Sequence, residues 1–382
     1  MDLMRKIPLS IFLLVTACVL PAQNKSYRFL LGTYTHEGKS EGIYSYVVDT
    51  QNWTFERKDV QSGIQNPSYL AFSPDCKFVY SVSEGDEGSA VYAYSFGTES
   101  GKLKFINSSL TRGAAPCFIL STGKHVVTAN YNGGSISVFG QNSDGSLTGL
   151  KQIIRHTGHS INAERQGEPH VHQVTASPNG KYILSTDLGT DYVTVYQYNK
   201  EIALNPPTEI EGNRSAKILS PYDSLKVKPG SGPRHLVLGS KGKKLFLLQE
   251  IDGTVSVIGM KNGKLKWLDE TTVDHKPGTA NRAADIHLSS DERFLYATNR
   301  GSANDITCFS VSKKGKLAFV QQISTGGSGP RNFAITPDGK YLFVANQETG
   351  NIVVFERDRK SGMLANTGKQ LHVGLPVCVL FY

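Results

Sequence analysis

Apolar and polar residues alternate along most of this chain with a period of two, the period of a half-buried β-strand. The runs are short, as in SYRFLLGTY, GIYSYVV and TVSVI, and turn signals separate them. Ser-Pro-Asp at 73–75, Ser-Pro-Asn-Gly at 177–180 and Thr-Pro-Asp-Gly at 336–339 are such signals. Pro and Asp-Gly at these places suit β-turns. The pattern predicts strands from end to end.

The pattern also repeats. Units begin at Pro67, Pro116, His170, Pro233, Arg282 and Pro330. Each opens with a short apolar strand, turns, and continues into a strand of alternating aromatic and aliphatic residues. A polar loop ending in Asn, Glu or Arg then leads to a third strand, and a more polar stretch leaves room for a fourth. A period of about 50 residues suits four-stranded propeller blades. One interval is longer, and 199–230, holding Asn205-Pro206-Pro207, reads as an inserted loop. At the ends, SYRFLLGTY and GIYSYVV supply a second and third strand, and LPVCVLFY supplies a first. Joined, they make a seventh blade and pair the sheet edges that would otherwise stay open. The predicted fold is all-β: a seven-bladed β-propeller of four-stranded blades over residues 23–382, closed by pairing of the N- and C-terminal strands.

Residues 1–22 read differently. Arg5 and Lys6 precede an apolar run from Ile7 to Leu20, the layout of a signal peptide cut after Ala22. Val15-Thr16-Ala17-Cys18 also resembles a lipoprotein box, which would leave Cys18 lipidated as the only link to a membrane. The expected location is the periplasm or the cell envelope. Cys76, Cys117, Cys308 and Cys378 show no Cys-x-x-Cys spacing, so buried free thiols are expected and a zinc site is not. The net charge of +8 comes from scattered pairs such as Lys243-Lys244 and Lys313-Lys314 rather than a basic run, so nucleic acid is not the expected partner. No nucleophile elbow, phosphate loop or dinucleotide fingerprint occurs, and no cofactor is expected.

Strand direction locates the chemistry. In an antiparallel blade, the start of the first strand and the end of the second share one face. His170, His172, Arg234, Arg282 and Arg331 lie at or before first-strand starts. Tyr34, Glu84, Asn130, Asp187, Glu250, Asn299-Arg300 and Asn346-Gln347 lie near second-strand ends. Together they predict an anion-binding, acid–base site at one mouth of the central channel. His170-x-His172 could face a metal ion, but no carboxylate accompanies it at ligand spacing, and no metal is expected. His235 and His287 sit in short apolar strands and read as structural.

PHVHQVTASPNGKYI, GSGPRHLVLGSKGKKLFLLQE, ADIHLSSDERFLYATNRG and GGSGPRNFAITPDGKYLFVANQ resemble the propeller lactonases. That family includes the propeller-type 6-phosphogluconolactonase and the fungal carboxy-muconate lactonizing enzyme. The resemblance covers the chain from about Ser26 onward. It implies metal-independent hydrolysis of a small-molecule sugar lactone, with His172, Arg234, Glu250 and Arg300 as the catalytic set. Either Glu250 or His172 would act as the base, and the two arginines would hold a substrate anion or the developing oxyanion. Arg165 and Gln166 match one branch of the family. With His170, Asn130, Arg282, Arg331 and Asn346, they complete the expected substrate-binding set. The export signal departs from the cytoplasmic setting of 6-phosphogluconolactone and points to an unphosphorylated lactone. A lactonizing enzyme and a non-catalytic exported binding propeller stand as alternatives. Oligomeric state is not legible.

Overall fold

A computed structural model describes residues 26–202, 217–275 and 281–382. The predicted leader and Cys18 lie outside them. The described residues form seven four-stranded antiparallel sheets arranged as blades around a channel. Blade 1 is composite: its inner strand is Pro376–Phe381, followed outward by Ser26–Thr33, Gly42–Asp49 and Thr54–Ser62. Leu31 faces Val379 and Phe29 faces Phe381 across the closure. Blades 2 to 7 follow in chain order over 70–110, 116–155, 171–226, 233–272, 283–324 and 330–372.

Within a blade, burial falls from the middle outward. Tyr341–Asn346 is buried at every position, whereas the outer strand Leu364–His372 is mostly exposed. The core lies between blades. Phe29 meets Phe343 and Phe381 edge to face at 5.6 and 5.8 Å, the arrangement that aromatic quadrupoles favour. The repeated turns share one hydrogen-bond device. The Thr336 hydroxyl donates to Asp338 at 2.7 Å and accepts from the Tyr341 amide at 3.0 Å. Ser73, Ser177 and Ser289 do the same in their own blades. Gly339, at φ +71°, takes the left-handed position of its turn.

The stretch 199–230 corrects the expectation of a loop. Leu219–Lys226 is the outer strand of blade 4. Pro221 fits there because an edge strand leaves one row of backbone groups unpaired. The Asn205-Pro206-Pro207 part lies outside the described residues. Cys117, Cys308 and Cys378 are buried free thiols, and Cys76 is half-buried and also free.

One irregularity recurs where inner strands meet the channel. Val171 faces Asp187 and Gln173 faces Thr186, so His172 is an extra residue in a bulge. Arg234, Arg331, Cys117 and Val377 occupy the same place in their blades. In blade 6 both Ala284 and Asp285 lie between the paired residues Ala283 and Ile286. A bulge re-aims the side chain it carries. Here it makes a ring of variable residues on an otherwise regular scaffold.

Candidate active site

A second ring lies just past the second strands. Tyr34, Glu84, Tyr131, Glu250 and Arg300 each follow the last residue of such a strand. These residues and the bulge residues meet at one mouth, and Glu250 is their hub. Its Oε1 accepts from Arg165 Nη2 at 2.6 Å. Its Oε2 accepts from Arg234 Nε and Arg300 Nη2, both at 2.9 Å. Burial opposes the Glu250 charge, but Arg300, Arg234 and Arg165 outweigh it and hold the carboxyl well below its usual range. Arg234, 1% exposed, also donates from Nη1 to the Ala284 carbonyl. Arg300 Nε donates to the Arg282 carbonyl at 2.9 Å. Both guanidiniums are thus aimed by backbone as well as by Glu250.

His172 lies beside this hub, 4% exposed. Its Nδ1 is 3.8 Å from the Cys117 thiol, and its ring packs edge-on against Tyr131 and His235. Burial, with Arg234 and His235 nearby, keeps the imidazole neutral. His170 stacks flat on Tyr131 at 4.4 Å, and its Nδ1 meets the Tyr131 carbonyl at 3.1 Å. Across the mouth, Arg331 lies 5.3 Å from the Tyr34 ring centroid. Burial opposes its charge, while Tyr34 and Glu84 sustain it. The Tyr34 hydroxyl reaches Glu84 at 3.0 Å, and Ser68 also donates to that carboxylate.

Arg165 arrives on the loop between blades 3 and 4. Asp191 anchors that loop by accepting from Gln166 Nε2 at 2.8 Å, Ser160 Oγ, Gly230 N at 2.7 Å and Gly232 N at 2.8 Å. Gln166 also donates to the Leu188 carbonyl and is fully buried, so it holds the loop rather than facing the mouth.

Two other expected binders are likewise turned away. The Asn130 amide bonds Ser135 and Ser137 of its own blade and accepts from Thr128. Asn346 is fully buried and donates to the Thr325 carbonyl. The physical reason is visible at Asp187 and Asn299, which accept the His170 and Arg282 amides at 2.8 and 3.0 Å. The last residue of the second strand fastens the loop that brings the chain into the blade, and only the next residue reaches the mouth. Arg282 presents its carbonyl to Arg300 and leaves its side chain exposed. His172, Arg234, Glu250, Arg300, Arg165, His170 and Arg331 do converge. Tyr131 and Cys117 complete the set. Both were legible as members of the two repeating positions but are too common in cores to attract notice.

A seven-bladed ring whose mouth gathers His, Glu and several guanidiniums defines a propeller enzyme of the lactonase type. The family model described as "Lactonase, 7-bladed beta-propeller" matches residues 28–381, and the chain belongs to this family of lactone-hydrolysing enzymes. The 6-phosphogluconolactonase of Bacillus subtilis is 33% identical over 92% of this chain and 97% of its own. A crystal structure from Bacteroides fragilis, provisionally assigned as a 6-phosphogluconolactonase, superposes with a TM-score of 0.87 at 39% identity, covering 94% of this chain and 98% of that one. The periplasmic gluconolactonase of Pseudomonas aeruginosa superposes with a TM-score of 0.84 at 34% identity, covering 93% and 99%.

Proposed function

We propose that this chain hydrolyses a sugar lactone at the channel mouth, using its own charged side chains and no metal ion. The observation that carries this reading is the buried Glu250 carboxylate shared by Arg165, Arg234 and Arg300. With Arg331, four guanidiniums face two carboxylates, Glu250 and Glu84. The surplus positive charge suits an anionic group of the substrate and the oxyanion formed at its carbonyl. Preorganised donors in a dry site stabilise such charge strongly. They supply there what a metal ion supplies in other hydrolases.

Between the two expected bases, Glu250 is the poorer. Three cations hold it ionised, which makes it a weak proton acceptor. Proton transfer therefore falls to a neutral imidazole, and His172 is one such ring in the set. Glu250 acts as the clamp that fixes the arginines.

One named relative is a 6-phosphogluconolactonase and another a periplasmic gluconolactonase, which supports a gluconolactone, phosphorylated or not, as the substrate. The apolar leader and the periplasmic relative favour the unphosphorylated kind, outside the cytoplasm, with residues 1–22 removed or Cys18 lipidated. The test is hydrolysis by residues 23–382 of glucono-δ-lactone and its 6-phosphate, with and without chelator. Chelator-resistant turnover above the spontaneous rate is expected. Turnover abolished by chelator and restored by a divalent ion would sink the metal-free reading.

A further inference from the structure

Beneath the Glu250 cluster, the bulge ring closes on a cavity of about 10 Å³. That is the scale that admits one water molecule, and the lining is polar enough to hold it. Ser68, Cys117, Arg234, His235, Arg331 and Asn332 contribute to the wall. His235 is 3% exposed, and its Nε2 is a buried polar atom with no hydrogen-bond partner among the described residues. Its Nδ1 lies 2.8 Å from Asp285 Oδ1.

Asp285 is in turn surrounded by donors. Asn332 Nδ2 reaches Oδ2 at 2.6 Å, the Phe333 amide reaches it at 3.3 Å, and the Ile286 amide reaches Oδ1 at 3.0 Å. His287 Nε2 lies 2.9 Å from Oδ2. A carboxylate so placed is ionised and can only accept. Burial opposes its charge, but His287 and His235 outweigh it and hold the carboxyl well below its usual range. The His235 proton must then sit on Nδ1, and the Nε2 lone pair is left without a partner among the described residues, on a ring that lines the cavity. Tyr69, which stacks on Phe118 at 4.0 Å, lines both this cavity and a larger one, about 290 Å³, that reaches Asp285 and His287. The small cavity adjoins the substrate mouth through Arg234 and Arg331.

We propose that the small cavity holds the hydrolytic water and that His235, oriented by Asp285, takes its proton. This rests on the lactonase reading above and names the base within it. The water oxygen bonds to the lactone carbonyl carbon while one of its protons passes to His235 Nε2. The carbonyl electron pair moves onto oxygen, where the guanidiniums face it. Collapse restores the carbonyl and breaks the ring C–O bond, and the departing ring oxygen takes the proton back from Nε2. The product is the open hydroxy acid, and His235 is neutral again. His172, edge-on to His235 at 5.1 Å, then serves to bind and orient the substrate.

The test compares wild type, His235→Gln and Asp285→Asn on glucono-δ-lactone and its 6-phosphate, with circular dichroism as the control for folding. General-base help is worth about 10²–10⁴-fold, so kcat should fall at least about 100-fold in His235→Gln with KM little changed. Asp285→Asn should also lower kcat, because an amide NH₂ facing Nδ1 moves the imidazole proton to Nε2. A folded His235→Gln enzyme that keeps kcat within about threefold of wild type overturns the proposal. Should His235→Gln fail to fold, Asp285→Asn decides by the same threshold. A crystal structure of the wild type should show a water on Nε2, and a protein atom bonded there would overturn the assignment. A wild-type chain inert on both lactones removes the lactonase reading itself, whereas an active wild type with an unaffected His235 variant removes only this assignment.

Discussion

Glu84 and Glu250 occupy the same place in two different repeats. Each directly follows the second strand of its blade, and each points its carboxylate into the mouth. Their surroundings differ. Glu250 is met by three guanidiniums, and Glu84 by the Tyr34 and Ser68 hydroxyls. Glu84 is only half-buried, whereas Glu250 is 4% exposed. The scaffold therefore sets where a carboxylate goes, and the neighbouring blades decide what it becomes. The blade 5 glutamate is a fixed ion that gathers cations. The blade 2 glutamate is held by neutral donors.

The largest expected effect comes from breaking the Glu250 side. Arg234→Ala should abolish measurable lactone hydrolysis and destabilise the fold by about 3–5 kcal/mol, because it removes one partner of a buried ion pair. Urea unfolding and a lactone assay on the same preparation check both. Glu250→Gln comes next and should cost at least about 100-fold in kcat/KM, since the guanidiniums lose their shared anchor. It should also change acid stability. The Glu250 pKa is depressed in the fold, so its contribution is fully present above the unfolded carboxylate value, about 4.3, and is lost as pH falls below it. Wild-type Tm should therefore fall more steeply than that of Glu250→Gln below about pH 4. Parallel Tm curves would show that Glu250 is not the fixed ion described here. Arg165→Lys should act more mildly, raising KM roughly tenfold with little loss of stability, because the side chain is 30% exposed and only its fork geometry is lost. Glu84→Gln should be the smallest, within about 1 kcal/mol and a few-fold in rate, since an amide oxygen still accepts from hydroxyls. An effect of Glu84→Gln equal to that of Glu250→Gln would erase the distinction between the two.

Much of this was written in the repeat. Alternation, turn residues and split ends predicted seven blades and their closure, and strand direction placed His172, Arg234, Glu250 and Arg300 at one mouth. What escaped turns on single-residue geometry. Asn130 sits one position before Tyr131, which reaches the mouth, and the amides of Asn130 and Asn346 bond within the scaffold instead. A period-two argument cannot resolve that step where a bulge intervenes. Gln166 neighbours Arg165 in sequence but faces the opposite way, because its partner Asp191 lies under the loop. His235 read as structural because its strand is apolar. Only the distance to Asp285, 50 residues away in sequence, shows the pair. The outer strand of blade 4 was hidden by Pro221 and by the polar alternation that edge strands carry.

The closure of blade 1 has a temporal side. Phe29 pairs with Phe381, so the inner strand of the blade that holds Tyr34 is contributed from the far end of the chain. Val377, on that strand, is part of the wall around His235. During synthesis, blade 1 has three of its strands and no fourth, and the channel has a gap in its wall. Such a distant pairing makes ring closure a late and slow event. Catalytic competence thus arrives last and all at once, when the two ends find each other.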